Sequence, residues 1–474
     1  MVVPSFIMNK AIQAVVIVFM AVFIAGVIHY LEGKWFITFL FFFFFGTVWL
    51  STRNRTQSLL LAIVFFIPIN PDIAITSLES HMGGASLGLI ISLTDVLLLV
   101  LLSIVIMRTL LGQSFRFREL KLNYLLLAYI AWGGLSIVWA GNTVASGFEF
   151  LRLIKLYLFY LCACNVFDIK RYSSLLGVIF VCVILIQFGL SFYQACTGSV
   201  LAPVAYLSEE MAFRSSGWWS GVGGTLGHPA GLALYLILIL PFLLGLYSVE
   251  RRQSLKRVFL FGMLLGLTLV VMTLSRGGAM ALLAALAFSL LYLYRSGKIG
   301  KRLARRIGIV LILCLVVIGY FFRVELYDRL TGDTSLMYQS RMSLNIEAIK
   351  AISRNPICGV GLNNCYDVFY PVKTVVHNIY LLTGVELGIV GLVLFVWVFI
   401  RVLLSLYRAR KALSPGAFAL AIGVFGVIGG VLVDGLASWA LLQDAQMWQL
   451  WFVFAVYECV LLSPKRANLA DVRR

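Results

Sequence analysis

Long apolar stretches separated by short polar connections dominate this chain. Many of the stretches hold about 16–22 residues, and a helix of that length crosses the roughly 30 Å hydrocarbon core of a bilayer. The pattern predicts an all-α polytopic membrane protein with about 14 transmembrane helices, or 12 to 13 if one is re-entrant or two merge. The predicted spans are 11–28, 35–50, 58–69, 89–107, 123–140, 150–166, 175–193, 227–247, 258–274, 279–293, 308–322, 377–402, 416–433 and 445–462.

The weakest of these predicted spans is 58–69. It is short, and it runs into Pro68, Asn70 and Pro71, which do not continue a helix well. Removing it would move every later basic connection to the opposite side of the membrane. We therefore keep 58–69 as a span and expect that it is a broken helix or a re-entrant segment.

The composition excludes a soluble globular protein. Hydrophobic residues make up 61% of the chain and charged residues 12%, against roughly 25% charged residues in ordinary soluble domains. The formal net charge is +18, from 38 basic and 20 acidic residues. In a soluble protein such a charge would suggest nucleic acid, whereas here membrane topology is the first explanation to test.

Basic residues alternate between the two sides of the predicted array. One side carries 27 of the 38 basic residues with only five acids, which leaves 11 basic and 15 acidic residues on the other. By the positive-inside rule the basic side is cytoplasmic, and both termini lie there. The total charge therefore reports orientation, and no nucleic-acid partner is predicted.

No soluble domain interrupts the array, so residues 1–474 are expected to form a single integral membrane domain. Two longer connections fall on the external side, at 323–376 and at 195–225. Within the first, 340–353 has the pattern of a short amphipathic helix. The second is rich in Gly, Ser and Trp, and connections of such length often carry function.

Most of the eight cysteines lie inside predicted spans, where a small apolar side chain is the ordinary interpretation. Cys162 and Cys164 have neither the spacing nor the histidine partners of a zinc site. Cys358 and Cys365 share an external loop, where they could form a disulfide or remain free. The sequence predicts neither a metal site nor a cofactor.

Arginines at the external boundary are not explained by topology. Arg276 lies between two predicted spans beside two glycines, where it either snorkels or binds an anion such as a phosphate. Arg214 opens a glycine-rich stretch that ends at His228 and Pro229, where a helix begins. This stretch either caps the helix or forms an anion site, because helix N-termini favour negative charge.

Arg152 and Lys155 lie just inside the external end of their predicted span, about one turn apart and on one helical face. With Glu149 close by, they either form ion pairs or guide an anionic headgroup. Asp95 occupies a similar boundary position, where we expect it to cap or pair locally.

His377 lies where the chain enters the membrane again, after the segment Asn355-Pro-Ile-Cys-Gly-Val-Gly. An imidazole there can take a proton from a hydroxyl near neutral pH, or it can be purely structural. Glu386 follows roughly 13 Å farther along a helix and about 180° around it, so the two cannot pair unless the helix breaks between them. Asp367 or another loop acid is a better candidate to orient the imidazole.

These motifs together resemble the O-antigen ligase and polymerase family of bacterial envelope glycosyltransferases. The resemblance rests on Ser-Arg276-Gly-Gly, Asn355-Pro-Ile-Cys-Gly-Val-Gly, Val-His377-Asn and Glu386-Leu-Gly-Ile-Val-Gly, and it is strongest over 211–402. It implies a multi-span, metal-independent enzyme of the GT-C type in the inner membrane. Such enzymes move a glycan from undecaprenyl diphosphate to a hydroxyl at the periplasmic face.

By this resemblance, Arg276 and Arg214 bind the carrier diphosphate and His377 activates the acceptor; we add Arg152 and Lys155 as further diphosphate contacts. In His228-Pro-Ala, alanine stands where many relatives have asparagine, so no role is carried over to His228. The acceptor is the lipid A core in ligases and another repeat unit in polymerases, and we slightly favour the ligase. A transporter for a small anion or a lipid-linked sugar is the alternative from another class, and a non-catalytic assembly protein is a third.

Overall fold

A computed structural model describes residues 54–69, 72–77, 88–112, 117, 119–197, 221–302, 305–306, 309, 336–369 and 375–463. Three of the predicted spans, 11–28, 35–50 and almost all of 308–322, lie outside these residues. Arg214 lies outside them as well.

Helices form nearly all of the described chain. In chain order they are α1 Arg55–Phe66, α2 Leu93–Leu110, α3 Asn123–Leu135, α4 Thr143–Val166, α5 Ile169–Thr197, α6 Pro229–Ile237, α7 Leu240–Val249, α8 Gln253–Met272, α9 Arg276–Arg295, α10 Leu336–Arg354, α11 Cys365–Val368, α12 Ile379–Ala409, α13 Pro415–Asp434 and α14 Asp444–Leu462. Short 3-10 turns lie at Ser136–Trp139, Gly224–Leu226 and Ala440–Leu442.

The predicted fold class is confirmed: this is an all-α polytopic membrane protein. The other 11 of the 14 predicted spans fall within the described residues, and each overlaps one or two helices. Eight helical spans of the described part are long and apolar enough to cross a membrane, with α6 and α7 forming one of them. The predicted span 58–69 corresponds to α1, which has only 12 residues.

A small β-hairpin precedes α2, and the hydrophobic pattern did not predict it. Strands β1 Asp72–Ser77 and β2 Gly88–Ser92 pair antiparallel. The apolar run that we predicted to enter the membrane at residue 89 therefore begins as a strand. The Asp95 carboxylate accepts the backbone N–H of Ser92 at 2.8 Å, and this cap starts α2 at Leu93.

The centre of the bundle is built by α13 and α14. In the most apolar 18-residue stretch of each of these two helices, 83% is buried, whereas 28% of the corresponding stretch of α8 is buried. Glycines on α13 allow this close packing: a Cβ at Gly430 would lie 2.5 Å from the side chain of Ile237 on α6, and one at Gly426 would collide with Ser289 on α9. Small residues at such contacts are typical of helices packed in membranes.

Helix α12 is broken at Gly388, whose φ of 64° and ψ of −167° are not helical. The carbonyls that the break releases have other donors. Val385 O accepts Val360 N and Glu386 O accepts Gly361 N, both at 2.9 Å. On the far side, Ile389 N donates to Pro356 O at 2.8 Å. The loop that follows α10 thus fills the break, which satisfies the backbone polar groups there.

Candidate functional site

His377 is held at the junction of α12 and α13. The side chain of Asn378 caps α12 by accepting the backbone N–H groups of Tyr380 at 3.0 Å and Leu381 at 3.1 Å. Ile379 N donates to Gly435 O at 2.9 Å, directly after the end of α13. The imidazole beside this cap is half-buried. The backbone that carries His377 is therefore anchored by two helix ends.

Two other basic side chains lie within electrostatic range of His377. Burial is the main cause that lowers the pKa of His377 to about 4, and the charges of Arg341 and His228 contribute to the same shift. Burial and Arg341 also lower the pKa of His228. Near neutral pH both imidazoles are therefore uncharged. The positive charge of Arg341 acts on both of them.

Arg341 reaches this site because α10 packs on the first turns of α12. Leu344 and Ala348 of α10 share a buried cluster with Leu382 and Val385 of α12. The sequence predicted the amphipathic helix but did not single out Arg341. Its only local signal is its place at the start of that helix, because the neighbours that make it significant come from distant segments.

His228 caps α6 at the same end of the bundle. Its Nδ1 accepts the backbone N–H of Ala230 at 3.1 Å, which places the proton of the neutral ring on Nε2. The glycine-rich approach to it is packed on α5: Gly224 N donates to the side chain of Gln194, and Thr225 N to that of Gln187, both at 3.0 Å. This part of the stretch that begins at Arg214 has a structural role.

Arg276 is the first residue of α9 and is half-buried. Ser275 caps the helix by accepting Gly278 N at 3.1 Å. Gly278 approaches α6 so closely that a Cβ there would collide with Ala233. The helix that begins at Arg276 therefore packs beside the helix that His228 caps.

Arg152 and Lys155 have carboxylate partners. Arg152 pairs with Glu149 at 2.6 Å, both side chains being almost fully buried, and it donates to the carbonyl of Leu442 at 2.7 Å. Lys155 pairs with Asp95 at 3.0 Å, so Asp95 both caps α2 and forms an ion pair. The ion-pair interpretation describes this geometry, and diphosphate binding by Arg152 and Lys155 stays a prediction.

Glu386 serves the loop that fills the helix break. Its buried carboxylate accepts the backbone N–H of Cys365 at 3.4 Å and that of Asn363. The break at Gly388 follows Glu386, so it does not turn this side chain towards His377. The side chain of Asp367 lies outside the described part. Cys358 and Cys365 are both free.

The arrangement brings the uncharged imidazoles of His377 and His228 within electrostatic range of the cation Arg341. A guanidinium suits an anion, and an uncharged imidazole near it can accept a proton. Within the described residues, no group of three or more His, Cys, Asp or Glu side chains is arranged to hold a metal ion.

Comparison with known families gives one match, and comparison with curated proteins gives none. Residues 261–396 match the family model described as O-Antigen ligase. The matched segment contains Arg276, Arg341, His377, Glu386 and Gly388. The match agrees with the resemblance inferred from the motifs: residues 261–396 of this membrane protein are similar to the O-antigen ligase family.

Proposed function

We propose that the protein transfers a glycan from an undecaprenyl diphosphate carrier to a hydroxyl group at the periplasmic face of the bacterial inner membrane. The observation that carries the proposal is the neutral, half-buried His377 beside the cation Arg341, within the segment that matches the O-antigen ligase family. A proton acceptor beside an anion site is the combination that this transfer requires.

The proposed diphosphate site is formed by arginines. As the bond between the anomeric carbon and the phosphate oxygen breaks, negative charge grows on the leaving diphosphate. Positioned guanidinium groups stabilise that charge, and their planar geometry suits phosphate oxygens. We assign this role to Arg276 and Arg341, and on the family resemblance to Arg214. Arg152 and Lys155 are further proposed contacts of the diphosphate, which would bind them in addition to their carboxylate partners.

His377 is the proposed base. A nitrogen of its ring takes the acceptor's hydroxyl proton, the hydroxyl oxygen bonds to the anomeric carbon from the face opposite the diphosphate, and the configuration inverts. With a pKa of about 4, His377 is by itself a weak base. A bound diphosphate offsets the positive charge of Arg341, so it raises the pKa of His377 and strengthens the base when the donor is present.

We favour the lipid A core as the acceptor, because the matching family model is described as O-Antigen ligase. Transfer to another lipid-linked repeat unit, as in a polymerase, uses the same donor chemistry and is the alternative. Analysis of cells that lack the gene separates the two. Uncapped lipid A core would indicate a ligase, whereas single repeat units attached to the core would indicate a polymerase.

The shared mechanism is tested with purified protein in nanodiscs, given a lipid-diphosphate-linked glycan and an acceptor. We expect His377→Ala and Arg276→Ala to lower the transfer rate by about 100-fold or more, and Lys350→Ala, on the exposed side of α10, to leave it unchanged. Unchanged transfer by both site variants would refute the proposal. Ion-dependent uptake into proteoliposomes without any glycosyl product would favour the transporter alternative.

A further inference from the structure

Helix α10 has two apolar faces, and only one of them is covered by the protein. Leu344, Ala348 and Ala351 are buried. Met342, Ile346 and Ile349 are 57%, 44% and 57% exposed. At 100° per residue, the centre of this exposed strip lies about 160° around the helix from the centre of the buried one. The exposed strip therefore faces away from the bundle.

A third face of α10 is charged. Glu347, Lys350 and Arg354 lie between the two apolar faces, about 100° from each, and Lys350 pairs with Glu347 at 2.6 Å. The helix thus presents one side to the protein, one exposed apolar side and one charged side. A helix lying in a bilayer interface beside a protein needs these three sides.

The broken helix α12 indicates how deep α10 lies. α12 has 31 residues and its antiparallel neighbour α13 has 20, a difference of about 16 Å. Nevertheless the first residue of α12, Ile379, is hydrogen-bonded to Gly435, directly after α13. The break at Gly388 resolves the mismatch, because the segment from Ile389 to Ala409 alone is about 31 Å long and crosses the hydrocarbon core.

The part of α12 before the break then lies at the external boundary of the membrane, and α10 packs against it. A Cβ at Gly384 would lie 2.9 Å from the side chain of Ile352. Ile357, which follows α10, is 61% exposed. Its backbone carbonyl lies against Gly388 at the break. On the neighbouring surface of α12, Ile389 and Val393 are exposed. The exposed apolar surface thus extends from α10 onto a membrane-spanning helix.

We propose that α10 is an interfacial helix, with Met342, Ile346 and Ile349 embedded in the external leaflet of the lipid bilayer. The charged side then faces water, and Arg341 lies at headgroup level beside His228 and His377. Under the proposed function, the diphosphate of a lipid-anchored donor reaches the site from the plane of the membrane without leaving the leaflet. The contact with lipid itself does not depend on that function.

Spin-label accessibility tests this contact in the full-length protein in nanodiscs. A nitroxide is attached to Ile349→Cys, or to Lys350→Cys as the control on the charged side, in a background in which the exposed Cys182 and Cys196 are serine. We expect the label at Ile349 to collide mainly with oxygen, which concentrates in lipid. We expect the label at Lys350 to collide mainly with a water-soluble nickel chelate.

Two results would overturn the proposal. A label at Ile349 as accessible to the nickel chelate as the label at Lys350 would mean that the strip faces water. A label shielded from both reagents would mean that a second copy or another protein covers it. Ile346→Cys repeats the measurement one turn away, in case one variant fails to fold. Because no glycan transfer is measured, the result is independent of the proposed function.

Discussion

The backbone N–H of Gly361 donates to the carbonyl of Glu386 at 2.9 Å, and this bond joins two motifs that lie 25 residues apart in the sequence. Gly361 ends the segment that follows α10, and Glu386 precedes the break in α12. Trp132 of α3 adds a third element by donating its indole N–H to Leu387 O at 2.9 Å. These two motifs and Trp132 are therefore held together by hydrogen bonds next to the break in α12.

Gly388→Ala should disrupt the contacts between the loop that follows α10 and the break in α12. Its φ of 64° disfavours an L-residue, and a Cβ there would collide with the carbonyl of Ile357. We expect the free energy of unfolding to fall by about 2–4 kcal/mol, measured by SDS titration in mixed micelles. The control is Gly147→Ala, at a helical site where a Cβ meets no atom within 4 Å. Equal stability of the two variants would contradict the role of Gly388.

Asn364→Ala should weaken the attachment of the loop that fills the break to the start of α4. The buried Asn364 accepts Asn142 N at 2.6 Å and donates to Ser146 Oγ and to Leu362 O, each at 2.8 Å. Losing these contacts leaves buried polar groups unpaired, so we expect a loss of about 2 kcal/mol in the free energy of unfolding. Ser353→Ala, at an exposed position, serves as the control in the same titration. A change below about 0.5 kcal/mol would show that the network contributes little.

Arg152→Met should destabilise the protein because it leaves Glu149 buried without its cation. We expect the free energy of unfolding to fall by about 3 kcal/mol, and at least half of this loss to be recovered when Glu149→Leu is added. Failure of the double variant to recover would show that the other partners of Arg152 dominate.

Glycan transfer by that double variant decides the second role predicted for Arg152. If transfer stays lost after stability returns, Arg152 contacts the diphosphate. If transfer returns together with stability, Arg152 is removed from the proposed site.

The pH dependence of transfer should report the state of His377. The base must be unprotonated, so kcat/KM should be constant from pH 7 to about 5 and should fall as the pH drops through about 4. Arg341→Gln removes a charge that lowers the pKa of His377, so the acid limb should move to higher pH. Lys350→Gln is the control on the same helix. An acid limb that Arg341→Gln leaves in place would contradict the electrostatic coupling.

The helices were predictable because an apolar run long enough to cross a bilayer is a local property of the sequence. The ion pairs of Arg152 and Lys155 were also among the interpretations, since Glu149 and Asp95 occupy matching boundary positions. The break at Gly388 was not predicted. A glycine inside an apolar run looks the same whether or not a distant loop is there to satisfy the released carbonyls. Arg341 was missed for the same reason, because its neighbours meet it only in the packed structure.

The central position of α13 and α14 has a consequence for biosynthesis. The other described helices are made before these two and pack around them. Until residues 415–462 have entered the membrane, the grooves lined by Phe242 and Ser289 have no glycine-rich partner to fill them. The bundle therefore completes its core only after these two helices have entered the membrane, and substitutions at Gly423 or Gly426 should be detected by membrane quality control as failures of assembly.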